Sequence, residues 1–192
     1  MDFGLSEEQR LLEQTLRRWL EEQVPVARVR EIGAREDGAD AALWKGLAEL
    51  GVLGLLVPEE HGGSGLGMLD AALAMESLAR AAAPAPFLGS AVLAPVALAA
   101  AGTDTQRRTW LPRLACGETQ IGVALGELTG RRADAGLRVD GTRLQGRALF
   151  AIDAGAADAF VVALDRDHLV LVPADAANLT VTPLPTIDRT RR

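Results

Sequence analysis

The sequence is poor in the residue types that mark several common chemistries. It has one cysteine, no tyrosine, two histidines and 4% aromatic residues in 192 positions. A single thiol, Cys116, excludes an intrachain disulfide and a cysteine metal site. His61 and His168 fall in different halves of the chain, which excludes a histidine-rich metal centre, so no metal is expected. Lys45 is the only lysine, the other basic residues being arginine. With a net charge of −6, a pI near 5.0 and no basic run interleaved with aromatics, nothing points to nucleic acid. The start of the chain lacks the basic, apolar and small-residue regions of a signal peptide, and a reducing, cytoplasmic compartment fits the lone cysteine.

Residues 81–103 carry no charge, but Pro84, Pro86 and Pro95 interrupt them. The usable helix, 87–101, falls short of the roughly 20 residues a membrane span requires. A buried helix is expected there, and no membrane partner.

What is present is an ordinary globular composition, 48% hydrophobic and 24% charged, enough for a buried core. Ser6 and Gln9 have the capping-box spacing, and Leu12, Leu16, Trp19 and Leu20 then share one helical face. A helix is expected from Glu7, ended or bent at Pro25. Asp40 stands as the N-cap of a second helix, with Leu43, Leu47 and Leu50 on one side and Gly51 at its stop. A loop containing Gly62, Gly63, Gly65 and Gly67 follows. It has neither the GxGxxG nor the Walker spacing, and a tight turn between helices is preferred over a phosphate cradle. A third helix is expected over 69–82, with Met68, Ala71, Ala72, Met75, Leu78, Ala79 and Ala82 on its inner face. The fourth, 87–101, is apolar on all sides and so central. A fifth begins with Asp104 as N-cap, carries Trp110, Leu111 and Leu114, and bends at Pro112.

After Gly117 the pattern changes to short strands. Residues 120–125 form one, Asp140-Gly141 marks a hairpin turn between two short arms, and 159–164 and 168–173 flank a turn at 165–167. Residues 179–181 are a further candidate strand. Helices followed by strands give an α+β fold: an all-helical N-terminal domain over 1–117, then a partial antiparallel β-barrel-like domain over 118–192. Such a domain ending after TIDRT would leave an unpaired edge, so a fragment, or closure by a partner, is expected.

The order of these pieces resembles the acyl-CoA dehydrogenase family. The words that carry the likeness are DFGLSEEQRLLEQTLRRWL at 2–20, LGVLGLLVPEEHGGSGLGMLDAALAMESLAR at 50–80, TDTQRRTWLPRLACGETQIGVAL at 103–125 and GRALFAIDAGAADAFVVA at 146–163. The resemblance implies a helical domain, a barrel-like middle domain and a C-terminal helical bundle, the last missing here. It implies FAD between the middle and C-terminal domains, with a glutamate, most often in the C-terminal domain, taking the α-proton while flavin N5 accepts hydride from the β-carbon. The α-proton is weakly acidic until the thioester carbonyl is held by donors, so base, donors and flavin must be fixed together. No catalytic residue is therefore assigned to this segment, which is expected to be inactive alone. The implied partners are an acyl-CoA substrate, another subunit of the same family in a homo- or hetero-oligomer, and an electron-transfer protein as acceptor.

The departures are informative too. The family's Thr-Glu-Pro and Gly-Ser-Asp words are replaced after Leu125 by Gly126-Glu127-Leu128-Thr129-Gly130-Arg131-Arg132, in which only Glu127 survives. In the second flavin strand, Phe150-Ala151-Ile152 keeps the aromatic residue and loses the Thr or Ser hydroxyl. The resemblance assigns Leu125, Gly126, Glu127, Phe150, Ala151 and Ile152 to the flavin. It assigns Phe87, Gly89, Ser90 and Leu93 to the substrate, Gly89 leaving room for an acyl tail; Thr129, in place of the missing hydroxyl, and Arg131, through a phosphate of CoA or FAD, are further substrate candidates.

Plainer readings stand beside these. Glu127 reads equally as an exposed loop carboxylate, Thr129 as a turn residue, Arg131 and Arg132 as solvated, Phe87 and Leu93 as core, and Cys116 as a small buried residue. Three functions fit: a dehydrogenase, a non-catalytic subunit whose paralogous partner supplies the base and most flavin contacts, and a binding module without cofactor. The flavin reading depends on segments 125–130 and 150–153 lying side by side.

Overall fold

Helix α1 (Glu7–Gln23) begins where its capping box closes: Ser6 Oγ accepts from the Gln9 N–H at 3.2 Å while Gln9 Oε1 accepts from the Ser6 N–H at 3.0 Å. The structure is a computed structural model and describes residues 4–35, 39–126, 135–184 and 186–188. Pro25 ends α1 and, with φ −62°, opens a further helix, α2 (Val26–Ala34), that the sequence reading did not separate. Only Ile32 and Gly33 are buried in it, so its hydrophobic period is too faint to read.

Helix α3 (Ala41–Glu49) is capped as expected, the Asp40 carboxylate accepting from the Ala42 and Leu43 N–H groups at 3.0 Å. Gly51 follows in the left-handed region at φ 74°. Two short 3₁₀ turns, Val52–Gly54 and Glu59–His61, lead to α4 (Met68–Arg80). The inner face of α4 is rotated from expectation. Ala71, Leu73, Ala74, Ser77 and Leu78 are buried, whereas Ala72, Ala79 and Ala82 are exposed. An alanine-rich helix presents small apolar residues on every side, so its neighbours and not its own pattern choose the face.

Residues Leu88–Leu93 form a π-type turn that runs into α5 (Ala94–Ala101). Helix α6 (Asp104–Ala115) is capped by Thr103, not Asp104: Thr103 Oγ1 accepts from Gln106 N–H and Gln106 Oε1 from Thr103 N–H. The box partner three residues on settles which residue caps. Pro112 is accommodated within α6.

The strands are β1 (Ile121–Ala124), β2 (Gly136–Asp140), β3 (Arg143–Arg147), β4 (Ala159–Ala163) and β5 (Leu169–Pro173). β2 and β3 form the expected hairpin, with Gly141 at φ 61° in its turn. The other sheet runs β1-β4-β5 and is mixed: β4 pairs antiparallel with β5 but parallel with β1. Both β1 and β4 are buried along their whole length, which is why IGVA and AFVVA read as unbroken apolar runs, the pattern of strands covered on both faces. Residues 179–181 are not a strand. Among the described residues no barrel closes, and the fold is α+β with a helical N-terminal half and a few strands in mixed and antiparallel pairings.

Alternation along β1 and β4 sorts their side chains. Ile121, Val123, Ala159 and Val161 face the helices and pack with Ala94, Leu98, Leu111 and Leu114. Ala124, Phe160 and Val162 face the other way, onto Leu137 of the hairpin and Ala151 and Ala154. A larger cluster, centred on Leu16, Leu20, Leu43, Leu47, Leu53, Leu78 and Phe87, holds α1, α3 and α4 together. Each such fully buried side chain stabilises the fold by about 1.5–3 kcal/mol relative to exposure. The sheet is thereby bolted to the helices by core, and not tethered by a linker.

Candidate functional site

Of the segments expected to cradle a flavin, 125–130 and 150–153, the structure describes 125–126 and the whole of the second, and the second meets the end of β1 at one backbone pair. The Val123 N–H donates to the Ile152 carbonyl at 2.9 Å and the Ile152 N–H to the Val123 carbonyl at 2.8 Å, an isolated antiparallel bridge. Leu125 and Gly126 follow directly, and a Cβ added to Gly126 would lie 3.0 Å from the Leu149 carbonyl oxygen. Phe150 sits there at φ 57°, 55% exposed, and Asp153 beyond the bridge has φ 54°. A non-glycine residue in the left-handed region costs about 1–2 kcal/mol. Two of them bracket Ala151 and Ile152, a concentration of strain that marks functional segments. Phe150 thus stands exposed beside the bridged pair. The side-chain hydroxyl expected of the family at this edge is replaced by the apolar Ile152.

The helical side of the edge is the π-type turn. Phe87 is 1% exposed and belongs to the large core cluster; Leu93 packs half-buried against the cluster under β1. Ser90 Oγ accepts from the Ile121 N–H at 2.9 Å and lies 3.3 Å from the Ile121 carbonyl, to which it donates. The Gly89 N–H donates to Asp153 Oδ2 at 2.6 Å. The room expected beside Gly89 is taken. A Cβ there would meet the Ile121 carbonyl oxygen at 2.9 Å and Asp153 Cβ at 3.0 Å, so glycine serves close approach of backbone and not an open wall. Glu127, Thr129 and Arg131 lie outside the described residues.

Two residues that sequence reasoning gave no separate role, Asp153 and Ile121, therefore join the helix to the strand edge. No local signal announces them, because their partners stand 64 and 31 positions away.

Other expected features resolve simply. The glycine-rich loop spends its amides inward: Gly63 N–H goes to the Pro58 carbonyl, Ser64 to Gly54, Gly65 to Val57 and Leu66 to Leu55. That is turn chemistry, and it leaves no nest of donors for a phosphate. Cys116, expected to be buried, is exposed at the end of α6. The carboxyl groups held below their ordinary range, Asp40 among them, are not residues of the strand edge. Glu8 owes this to its backbone hydrogen bond at the start of α1, Asp104 to Arg107, and Asp165 to the Asp167 N–H and His168. Among the described residues no group of His, Cys, Asp and Glu is disposed to hold a metal, and no helix is long and apolar enough to cross a membrane.

The family model for the acyl-CoA dehydrogenase N-terminal domain matches residues 6–118. The mitochondrial isovaleryl-CoA dehydrogenase of Pongo abelii is 37% identical over 127 residues, which cover 65% of this chain and 30% of that protein. Among solved structures, the ChsE4-ChsE5 complex from Mycobacterium tuberculosis superposes with a TM-score of 0.85 at 29% identity, covering 96% of this chain and 52% of that one. A variant of the Tcur3481-Tcur3483 steroid ACAD gives 0.84 at 31% identity, covering 96% and 53%. The chain belongs to the acyl-CoA dehydrogenase family. It spans about half the length of these solved relatives, and less of the isovaleryl-CoA dehydrogenase.

Proposed function

We propose that the chain supplies one wall of an FAD-dependent acyl-CoA dehydrogenase site, in which an acyl-CoA thioester is desaturated between its α and β carbons. The observation that supports this reading is the Val123–Ile152 bridge, which brings the end of β1, two residues before Leu125, against the segment 150–153 with its exposed Phe150. FAD, when bound, would accept the β-hydride. The backbone of Leu125 and Gly126 would hold one edge of the ring system, and Phe150, Ala151 and Ile152 the other. Ile152 offers no hydroxyl, so the chain's own contribution is shape, exclusion of water by the apolar faces of Phe150 and Ile152, and backbone polarity. Residues 87–93 lie next to the acyl tail, with Gly89 and Ser90 anchoring the turn and Phe87 and Leu93 stiffening it. The resemblance of this segment to the family suggests Glu127 as a flavin contact and Thr129 and Arg131 as substrate contacts. A carboxylate supplied from outside these residues would take the α-proton, and an electron-transfer protein in the cytoplasm would be the acceptor for the electrons.

A second reading is favoured by a specific observation. The apolar Ile152, together with the likeness to the ChsE4-ChsE5 complex, suits a subunit that shares its flavin site with a paralogous partner. We place the chain in such a hetero-oligomer if it proves colourless alone.

Purification of the chain, alone and after co-expression with a paralogous acyl-CoA dehydrogenase subunit, decides between them. A flavin band that bleaches anaerobically on adding acyl-CoA is expected in at least one preparation. Flavin in the single-chain preparation supports the first reading, and flavin only with the partner supports the second. Two colourless preparations that fail to take up added FAD overturn both.

A further inference from the structure

Three side-chain hydrogen bonds tie the π-type turn to the two segments that meet in the Val123–Ile152 bridge. Asp153 is the residue immediately after Ile152, and Ile121 stands two before Val123, the partner of Ile152 in the bridge. Gly89 is thus tied to the segment after the bridge and Ser90 to β1, across 64 and 31 residues.

The chemistry of both contacts is directional. The Gly89 N–H belongs to the first turn of the helical stretch 87–101, where N–H groups have no partner within the helix and the positive end of the helix dipole favours a carboxylate. Asp153 therefore caps this helix from another part of the chain, through a charge-assisted bond of 2.6 Å. Its left-handed backbone turns the carboxylate back toward the helix, a conformation that aspartate tolerates better than most residues. Ser90 is 1% exposed and meets both backbone groups of Ile121. A seam needed only for packing would be served by apolar contact. Oriented bonds fix distance and register as well, and π-type turns are frequent at functional positions.

We infer that Asp153 and Ser90 are positioning residues, which together set how deeply the Val123–Ile152 flavin edge sits against the helical stretch 87–101. The functional meaning of that spacing rests on the flavin reading above, while the coupling of turn to strands is testable without it.

Amide hydrogen exchange on the chain, wild type against Asp153→Ala, Asp153→Asn and Ser90→Ala, reads the coupling directly. Asp153→Ala is expected to speed exchange about ten- to hundredfold at Gly89 and also at Val123 and Ile152, with Asp153→Asn, which keeps an acceptor oxygen, restoring most of the protection. Ser90→Ala is expected to act likewise at Ile121 and Val123, and it decides the matter if Asp153→Ala does not fold. Acceleration confined to Gly89 or Ile121, with the bridge amides unmoved, overturns the inference.

In the flavin-loaded protein, with a partner subunit where one is needed, Asp153→Ala should lower kcat per bound flavin about tenfold. KM should be little changed, the band shape of the bound flavin altered, and Asp153→Asn should rescue both. A lower Tm with unchanged kcat per flavin and unchanged band shape also overturns it. Should the wild type take up no FAD at all, the functional proposal falls and the exchange pattern alone upholds or overturns the coupling.

Discussion

Gln9 and Asp70 join the starts of two helices 61 residues apart: Gln9 Nε2 donates to Asp70 Oδ1 at 3.1 Å. Each is already part of its own cap, Gln9 Oε1 accepting from Ser6 N–H and Asp70 Oδ2 from Gly67 N–H at 3.0 Å. The beginnings of α1 and α4 are thus held by one shared network. Residues in one hydrogen-bond network couple, so a double-mutant cycle of Gln9→Ala and Asp70→Ala, followed by urea unfolding, should show a coupling of about 0.5–1.5 kcal/mol. Simple additivity would refute the shared network.

Asp40 makes a second long tie. Its Oδ2 accepts from Arg28 Nε at 2.9 Å and lies 2.7 Å from Nη2, its Oδ1 caps α3, and its side chain is 8% exposed. Burial alone would raise this carboxyl, but the Leu43 N–H and the Arg28 guanidinium outweigh it and hold the group below its ordinary value of 3.8. A depressed folded-state value means that the stabilisation is full above the unfolded value, about 3.9, and is lost as pH falls through the folded one. Asp40→Asn should therefore lower Tm at pH 7, and the gap to the wild type should shrink below about pH 4. A gap that stays constant from pH 6 to pH 3 would show that the charge contributes nothing.

At Gly89 even a methyl group is too large. Gly89→Ala should destabilise by about 1–3 kcal/mol, the usual cost of overpacking, because the Ile121 carbonyl and Asp153 Cβ stand within 3.0 Å of the new atom. Thermal unfolding measures it, and a neutral result would mean that turn and strands part easily.

Phe150 offers a test in which stability and function move in opposite directions. Phe150→Gly relieves a left-handed residue and removes an exposed ring, so stability should hold or rise by up to about 1 kcal/mol, the relief being partly offset by glycine's greater freedom when unfolded. Flavin retention should fall at least tenfold, checked by fluorescence titration. Undiminished retention would show that the ring is no platform.

The helical half was largely legible because its cues are local. Ser6 with Gln9, Asp40 ahead of Leu43, and Gly51 each act within one turn, and each appears where its chemistry requires. The face of α4 was not legible, since alanines at 71, 72, 74 and 79 fall on several sides of the helix and leave the choice to neighbours. The parallel pairing of β1 with β4 was missed although its signature, two fully apolar runs, was in view; hairpin cues at Asp140-Gly141 suggested that every strand would turn back on its neighbour. Of the candidate site, Phe150, Ala151 and Ile152 were reached through family resemblance, whereas Asp153 as a cap on Gly89 depends wholly on the folded path.

The parallel register of β1 and β4 also governs how the molecule assembles. β1 must wait for a partner separated from it by the entire hairpin, and closing so long an excursion is slow compared with local contacts. On a ribosome, α1 through α6 emerge before β4 exists, so the helical half can collapse while β1 still presents an unsatisfied apolar edge. Refolding should accordingly show helical circular dichroism returning ahead of protection at the Val123 amide, and truncation before Ala159 should turn a helical product into an aggregating one.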